Sequence, residues 1–148
     1  MKHHLAQINV GRFHFPADDP RNADFMNNLD GINALAEASP GFIWRLKDDS
    51  GNATAIRAFD DPHILVNMSV WDTVESLQLF AYRSEHVKFF RRRAEWFMDF
   101  GGPSMALWWV EAGHLPSPAE GRAMLEHIAK HGSTPTAFTF REKFAIPE

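Results

Sequence analysis

The sequence predicts an α+β domain in which an antiparallel sheet carries helices on one face. Three observations predict it. Segments with apolar side chains at every second position alternate along the chain with segments whose apolar residues recur at helical spacing. Their order is β-α-β-(β)-β-α-β, followed by one more helix and an extended tail. Clusters of Pro, Gly, Ser and Asp separate the segments, as turns require.

Residues 5–13 form the first expected strand, with Ala6, Ile8 and Val10 on one face and Gln7, Asn9 and Gly11 on the other. Asp19-Pro20 supplies an N-cap and a first-turn proline. Phe25, Leu29, Ile32, Leu35 and Ala36 then follow at helical spacing and stop before Ser39-Pro40-Gly41. Residues 42–47 read as a second strand, with Phe42, Trp44 and Leu46 on one side. After a turn at 48–52, residues 53–59 are expected to return as a hairpin arm. Residues 64–71 form the clearest strand, placing Val66, Met68 and Val70 opposite Asn67, Ser69 and Trp71. Asp72 and Glu75 are spaced as an N-cap and its N3 partner, opening a helix of Val74, Leu77, Phe80 and Ala81. The helical pattern extends, with a break near Arg83-Ser84, to Phe100 and the stop Gly101-Gly102-Pro103. A Trp-rich strand follows at 105–111. The capping box Ser117-Pro118-Ala119-Glu120 opens a helix to about His131, and residues 138–144 form the tail. This order is the ferredoxin-like, split βαβ arrangement. Its helix-free face needs water or a partner, and the aromatic strands favour a partner, so a sheet-to-sheet homodimer is expected.

The 148 residues, 45% hydrophobic and 23% charged, fit one domain over 1–148, with a core at about 5–112 and a helix and tail at 117–148. A formal charge of −4 argues against nucleic acid or an anionic membrane as partner. The absence of cysteine excludes disulfides, thiolate metal sites and thiol catalysis. No leader pattern precedes the first strand, and the longest apolar run, 105–110, is far shorter than the roughly 20 residues of a membrane helix. A soluble, cytoplasmic protein is the expectation.

Five Trp and thirteen Phe stand beside a single Tyr, which builds either a large core or a cavity for a flat apolar ligand. The densest chemical signal is a stripe of His86, Phe90, Arg93 and Phe97 at helical spacing. A histidine and an arginine on an apolar face need partners, a coordinated group or a wet pocket. His86 therefore reads either as a paired core histidine or as an axial ligand or general base. Arg93 reads either as paired with Glu37 or Asp99 or as a ligand-orienting group. Arg91 and Arg92 point elsewhere and are expected to be exposed. Gln7, Asn9, Asn67 and Ser69 read as solvent-facing, or as hydrogen-bonding groups for a ligand or a dimer mate. His127 and His131 lie one helical turn apart without a third ligand nearby, and His114 falls in a turn. No phosphate loop, nucleophile elbow or dinucleotide fingerprint occurs.

Particular segments carry a resemblance. Ser39-Pro40-Gly41-Phe42 with Trp44-Arg45-Leu46, Asn67-Met68-Ser69-Val70-Trp71, Phe80-Ala81-Tyr82-Arg83-Ser84 with His86, and Trp108-Trp109-Val110 with Gly113-His114 resemble the bacterial domain-of-unknown-function family DUF3291. This family belongs to the dimeric α/β-barrel superfamily. The resemblance spans nearly the whole chain and implies a ferredoxin-like fold and a dimer, without an activity. A narrower set, Ser69-x-Trp71, Phe80-Ala81-Tyr82, His86 and Trp96-Phe97, is similar to spheroidene-monooxygenase-like proteins, which are associated with haem. That similarity implies His86 as haem-iron ligand, Arg93 near a propionate or substrate, and Phe90, Phe97 and Trp71 as walls. The Asn, Trp and His set of haem-degrading relatives is matched only at Asn9. Phe80 stands at the Trp position, and Phe90 and Arg91 near the His position, which argues against haem degradation.

The expectation is an oxygenase-like, monooxygenase-type enzyme acting on an apolar or aromatic small molecule, with haem or no cofactor. In it His86 is ligand or base, Arg93 orients a carbonyl or anion, Asn67 donates a hydrogen bond, and Trp44, Trp71, Phe90 and Phe97 form walls. The alternative is a non-catalytic module that binds a hydrophobic ligand.

Overall fold

The structure, a computed structural model, describes residues 2–16, 19–47, 63–83 and 91–146. The expected hairpin arm at 53–59 lies outside the described residues, as do His86 and Phe90. In chain order the elements are β1 (His3–Phe13), α1 (Ala23–Glu37), β2 (Phe42–Arg45), β3 (Ile64–Trp71), α2 (Val74–Arg83), α3 (Arg93–Trp96), β4 (Phe97–Met98), β5 (Met105–Glu111) and α4 (Pro118–His131).

The strands form one antiparallel sheet in which β1 is central. On one side it pairs with β3, which pairs with β2. On the other it pairs with β5 over its first half and with β4 at Arg12 and Phe13. The spatial order β2-β3-β1-β5 is that of the ferredoxin-like split βαβ unit, as the sequence predicts.

The two helices of that unit lie on one face. Ala36 of α1 and Val74 and Leu77 of α2 cluster with Leu5, Trp71 and Leu107. On this face the helix stop before β2 depends on Gly41, which has φ +85°. A Cβ there would come within 2.2 Å of the Asp72 carboxylate and 2.3 Å of the Ser76 hydroxyl. The other face carries Ala6, Ile8, Val10, Val66, Met68, Val70, Ala106 and Trp108, and α4 packs across it through Leu125, Met124 and Ile128. Gly121 makes that approach close, since a Cβ there would lie 2.7 Å from Ile8 Cδ1 and 3.0 Å from Met68 Cε. The apolar face that pointed to a sheet-to-sheet homodimer is thus covered in its middle by the chain's own C-terminal helix.

Several local expectations change. Thr73, rather than Asp72, caps α2, its Oγ1 accepting from the Ser76 amide at 3.1 Å. Ser117 caps α4 as expected, accepting from Glu120 N at 3.2 Å. The Glu120 carboxylate, however, turns to the sheet, accepting from Trp108 Nε1 at 2.8 Å and meeting His114 Nε2 at 2.7 Å. The helix expected to reach Phe100 ends at Trp96, where Phe97 adopts extended backbone (φ −117°, ψ 139°) and pairs with Phe13. Stacking of Phe97 on Phe13, with centroids 4.7 Å apart, overrides its helical spacing.

The tail closes the free edge of β5. Leu107 and Phe138 exchange backbone hydrogen bonds at 2.7 and 2.8 Å, and Trp109 Nε1 donates to the Phe144 carbonyl at 2.9 Å. Among the described residues no helix is long and apolar enough to cross a membrane.

Candidate functional site

The α1/α2 face of the sheet carries an unusual set of side chains at its centre. Antiparallel register puts residues of β1 and β3 directly opposite one another, so they share a face. The successive pairs are Leu5 with Trp71, Gln7 with Ser69, Asn9 with Asn67, and Gly11 with Leu65. Two adjacent pairs in this ladder are polar on both strands.

These side chains are bonded to each other. Trp71 Nε1 donates to Ser69 Oγ at 2.8 Å, and an indole N–H can only donate. Gln7 Nε2 donates to Ser69 Oγ and to Asn67 Oδ1, both at 2.8 Å. Asn9 Nδ2 donates to Gln7 Oε1 at 3.0 Å and to Asn67 Oδ1 at 3.1 Å. Trp71, Gln7 and Ser69 are buried, at 1%, 3% and 7% exposure. Asn67 is half-buried and Asn9 exposed, so the row starts in the core and surfaces at the Asn9–Asn67 pair. Gln7 and Ser69 are therefore not solvent-facing, as strand alternation alone favours; α1 and α2 cover this face and the row satisfies its own polar groups.

Aromatic clusters frame the row at both ends. At the buried end Trp71 meets Phe42 edge-on and Phe80 in a stack, each at 5.4 Å. At the open end Phe97 covers Gly11, where a Cβ would lie 2.6 Å from the ring. Phe13, Phe25 and Trp96 complete that cluster, with Phe25 5.5 Å from Phe13 and 5.3 Å from Trp96.

Hydrogen-bond accounting shows what the row offers. Both lone pairs of Asn67 Oδ1 and both protons of Asn9 Nδ2 are engaged within it. The Asn67 NH2 and the Asn9 carbonyl make no bond to a described residue. The row can therefore give and accept hydrogen bonds at its open end. Its groups are amides, a hydroxyl and an indole, none of which changes charge near neutral pH.

The sequence-predicted site residues divide. Asn67, Trp71 and Phe97 share this face, Asn67 in the row and the two aromatics at its ends. Trp44 does not: an extra residue between Phe42 and Trp44 shifts the register, so Trp44 stands opposite Val70 and packs on the α4 face. Arg93 is exposed on α3. With Phe97 extended, the helical stripe that placed Arg93 on the apolar face is broken. Its neighbour Arg92 stacks on Trp96 at 4.6 Å and pairs with Asp24 and, at 2.8 Å, with Glu95. The Glu95 and Asp24 hydrogen bonds raise the Arg92 pKa, and Arg92 lowers that of Glu95. Glu37, a suggested partner of Arg93, meets Arg45 at 3.0 Å. His86 and Phe90 lie outside the described residues.

Haem needs an axial nitrogen, sulfur or phenolate ligand. The described residues of the row supply amide, hydroxyl and indole groups, none of which fits an iron porphyrin. Elsewhere His127 and His131 have ring centroids 4.8 Å apart, and His127 Nε2 is 2.7 Å from Thr134 Oγ1. No group of three or more His, Cys, Asp or Glu among the described residues could hold a metal ion.

Among solved structures the chain is similar to PA3566 from Pseudomonas aeruginosa, at 16% identity over 78% of this chain and 98% of that one, with a TM-score of 0.49. It is similar to SnoaB, a cofactor-independent oxygenase from Streptomyces nogalater, at 14% identity over 77% and 98%, with a TM-score of 0.46. A proposed antibiotic biosynthesis monooxygenase from Nitrosomonas europaea is 13% identical over 79% and 97%, with a TM-score of 0.48. No curated protein matches the chain. The profile described as a domain of unknown function, DUF3291, matches residues 4–148, and the chain belongs to that family.

Proposed function

We propose that the chain is an oxygenase-like enzyme acting on an apolar or aromatic small molecule held against the β1–β3 polar row. The observation that carries the ligand-binding part is the self-bonded row of Gln7, Asn9, Asn67 and Ser69 inside an aromatic frame. A face built only for stability would be apolar there, because each buried polar group costs free energy unless bonded. The oxygen chemistry follows the resemblance of the sequence to dimeric α/β-barrel oxygenases rather than the row itself.

In this reading the ligand's flat body rests against the Phe97 ring, which lies over Gly11, and its polar edge bonds to Asn67 and Asn9. An amide donor fixed beside a carbonyl oxygen stabilises negative charge developing on it when a neighbouring proton leaves. The row has no group to take that proton, and we assign this task to His86. The test is a dioxygen-uptake screen with aromatic ketones and phenols. Uptake by the wild type, lost in Asn67→Ala and in His86→Ala while both variants stay folded, is the expected result. Uptake unchanged by Asn67→Ala contradicts the site.

One observation favours a second reading, a non-catalytic module that holds a hydrophobic ligand: the described row contains only groups that do not titrate. Ligand affinity that is flat from about pH 5 to 8 and indifferent to His86→Ala would establish it, since histidine changes charge in that window.

A further inference from the structure

We infer that Gln7 is a positioning residue that couples the two asparagine amides, so that the row always presents one NH2 donor beside one C=O acceptor. The ligand it takes is then a neutral one whose edge carries an acceptor next to a donor, such as a carboxamide or a hydroxy-ketone, rather than a carboxylate. The ligand half of this inference rests on the row being the binding site.

Lone pairs and protons impose the coupling. Gln7 stands between Ser69 and both asparagines, giving its NH2 to Ser69 Oγ and Asn67 Oδ1 and taking a bond from Asn9 Nδ2 at its carbonyl. Because the Gln7 NH2 faces Asn67, the Asn67 carbonyl is held in the row and its NH2 is left over. Because the Gln7 carbonyl faces Asn9, the Asn9 NH2 is held and its carbonyl is left over. The direct contact between Asn9 Nδ2 and Asn67 Oδ1, exposed and at 3.1 Å the longest bond of the row, follows this opposition without imposing it. Reversing Gln7 would reverse both asparagines together, with Ser69 donating instead of accepting. The leftover groups would exchange places and still be one donor and one acceptor. With Gln7 in place, two outward donors or two outward acceptors would set like groups face to face at one of its two bonds to the asparagines, at about 3 Å. A carboxylate edge carries two acceptors and leaves the outward carbonyl facing a lone pair.

Two substitutions change the coupling in different ways. Gln7→Met removes it at nearly constant volume. Gln7→Glu, as a carboxylate, supplies only acceptors and draws both asparagine NH2 groups inward, leaving two carbonyls outside. Side-chain amide NMR of the full chain reads this directly. In the wild type one asparagine NH2 pair is protected from solvent exchange and the other exchanges freely. In Gln7→Glu above the titration of the new carboxyl both pairs are protected, and below it the pattern shifts with pH. A merely structural Gln7 would give neither signature. Wild-type pairs that behave alike, or a pattern unchanged in Gln7→Glu, overturn the coupling, and an amide fingerprint confirms that each variant is folded.

For the ligand, 2-naphthamide and 2-naphthoate have nearly the same shape and differ at the polar edge. The wild type should prefer the carboxamide by about tenfold or more, the size expected for one lost hydrogen bond and one unpaired carbonyl. The preference should collapse in Gln7→Met. Equal or reversed preference in the wild type overturns the ligand class. Binding of neither probe contradicts the row as a ligand site, while the exchange pattern still decides the coupling, so the two failures are distinguishable.

Discussion

The two faces of the sheet are made by alternate residues of the same strands, yet they are built to different rules. On the α4 face the middle of β1 and all of β3 are apolar, from Ala6, Ile8 and Val10 to Ile64, Val66, Met68 and Val70, with His4 and Arg12 only at the ends of β1, and the core closes around Leu125. On the α1/α2 face the same strands present Gln7, Asn9, Asn67 and Ser69. The first face is sealed by apolar contact and a glycine, the second by aromatic clusters at its ends and a hydrogen-bonded row between them. A protein needing only stability would gain by making the second like the first. Under the proposed function the α4 face is scaffold and the α1/α2 face is where the ligand is held.

Substitutions that sharpen this contrast should differ in kind as well as in size. The largest loss of stability belongs to the scaffold: Met68→Ala or Ile8→Ala should cost about 2–5 kcal/mol in denaturant unfolding, through lost burial and a cavity the packed α4 cannot fill. On the other face Ser69→Ala leaves the buried Trp71 indole N–H without its acceptor and should cost about 1–3 kcal/mol by the same measurement. Asn67→Ala, at the half-buried end, takes one acceptor from the buried Gln7 NH2 and should cost about 1 kcal/mol while abolishing ligand binding, a separation no scaffold substitution can give. Equal losses at Asn67 and Met68 would erase the distinction between the faces.

The smallest effect lies outside both faces. Asp19 begins the turn into α1, and its pKa is lowered to about 2, first by the Arg21 side-chain hydrogen bond and then by the Arg21 amide. A depressed carboxyl stabilises the fold above its unfolded pKa, and that contribution is lost as pH falls toward 2. Thermal melts from pH 4 to 2 should show a slightly steeper fall for the wild type than for Asp19→Asn.

Much of this was legible in the sequence because it depends on local periodicity. The alternation of β1 and β3, the helical spacing of Phe25, Leu29 and Ala36, and the Ser117 cap all predict elements that are present. Asn67, Ser69 and Trp71 were also placed correctly on one face. What periodicity could not supply was position in the third dimension. The extra residue before Trp44 reverses every later side chain in β2, and no propensity marks it. Phe97 left its helix because Phe13, far away in sequence, offered a stacking partner. Gln7 reads as solvent-facing from alternation alone, as the exposed Asn9 is, but β3 sets Ser69 opposite it and the helices bury the pair. The signal that could have revealed the row was this match: polar positions at the centre of two strands whose other face is apolar over the same stretch.

The contrast between the faces can be read in one spectrum. Trp71 Nε1 sits in the polar row and Trp108 Nε1 sits on the scaffold face, bonded to Glu120. Titration of the chain with 2-naphthamide, followed by the indole N–H signals, reports on both faces at once. The Trp71 signal should shift saturably while Trp108 stays still. A stationary Trp71, or a shift confined to Trp108, would contradict the placing of the ligand on the β1–β3 row.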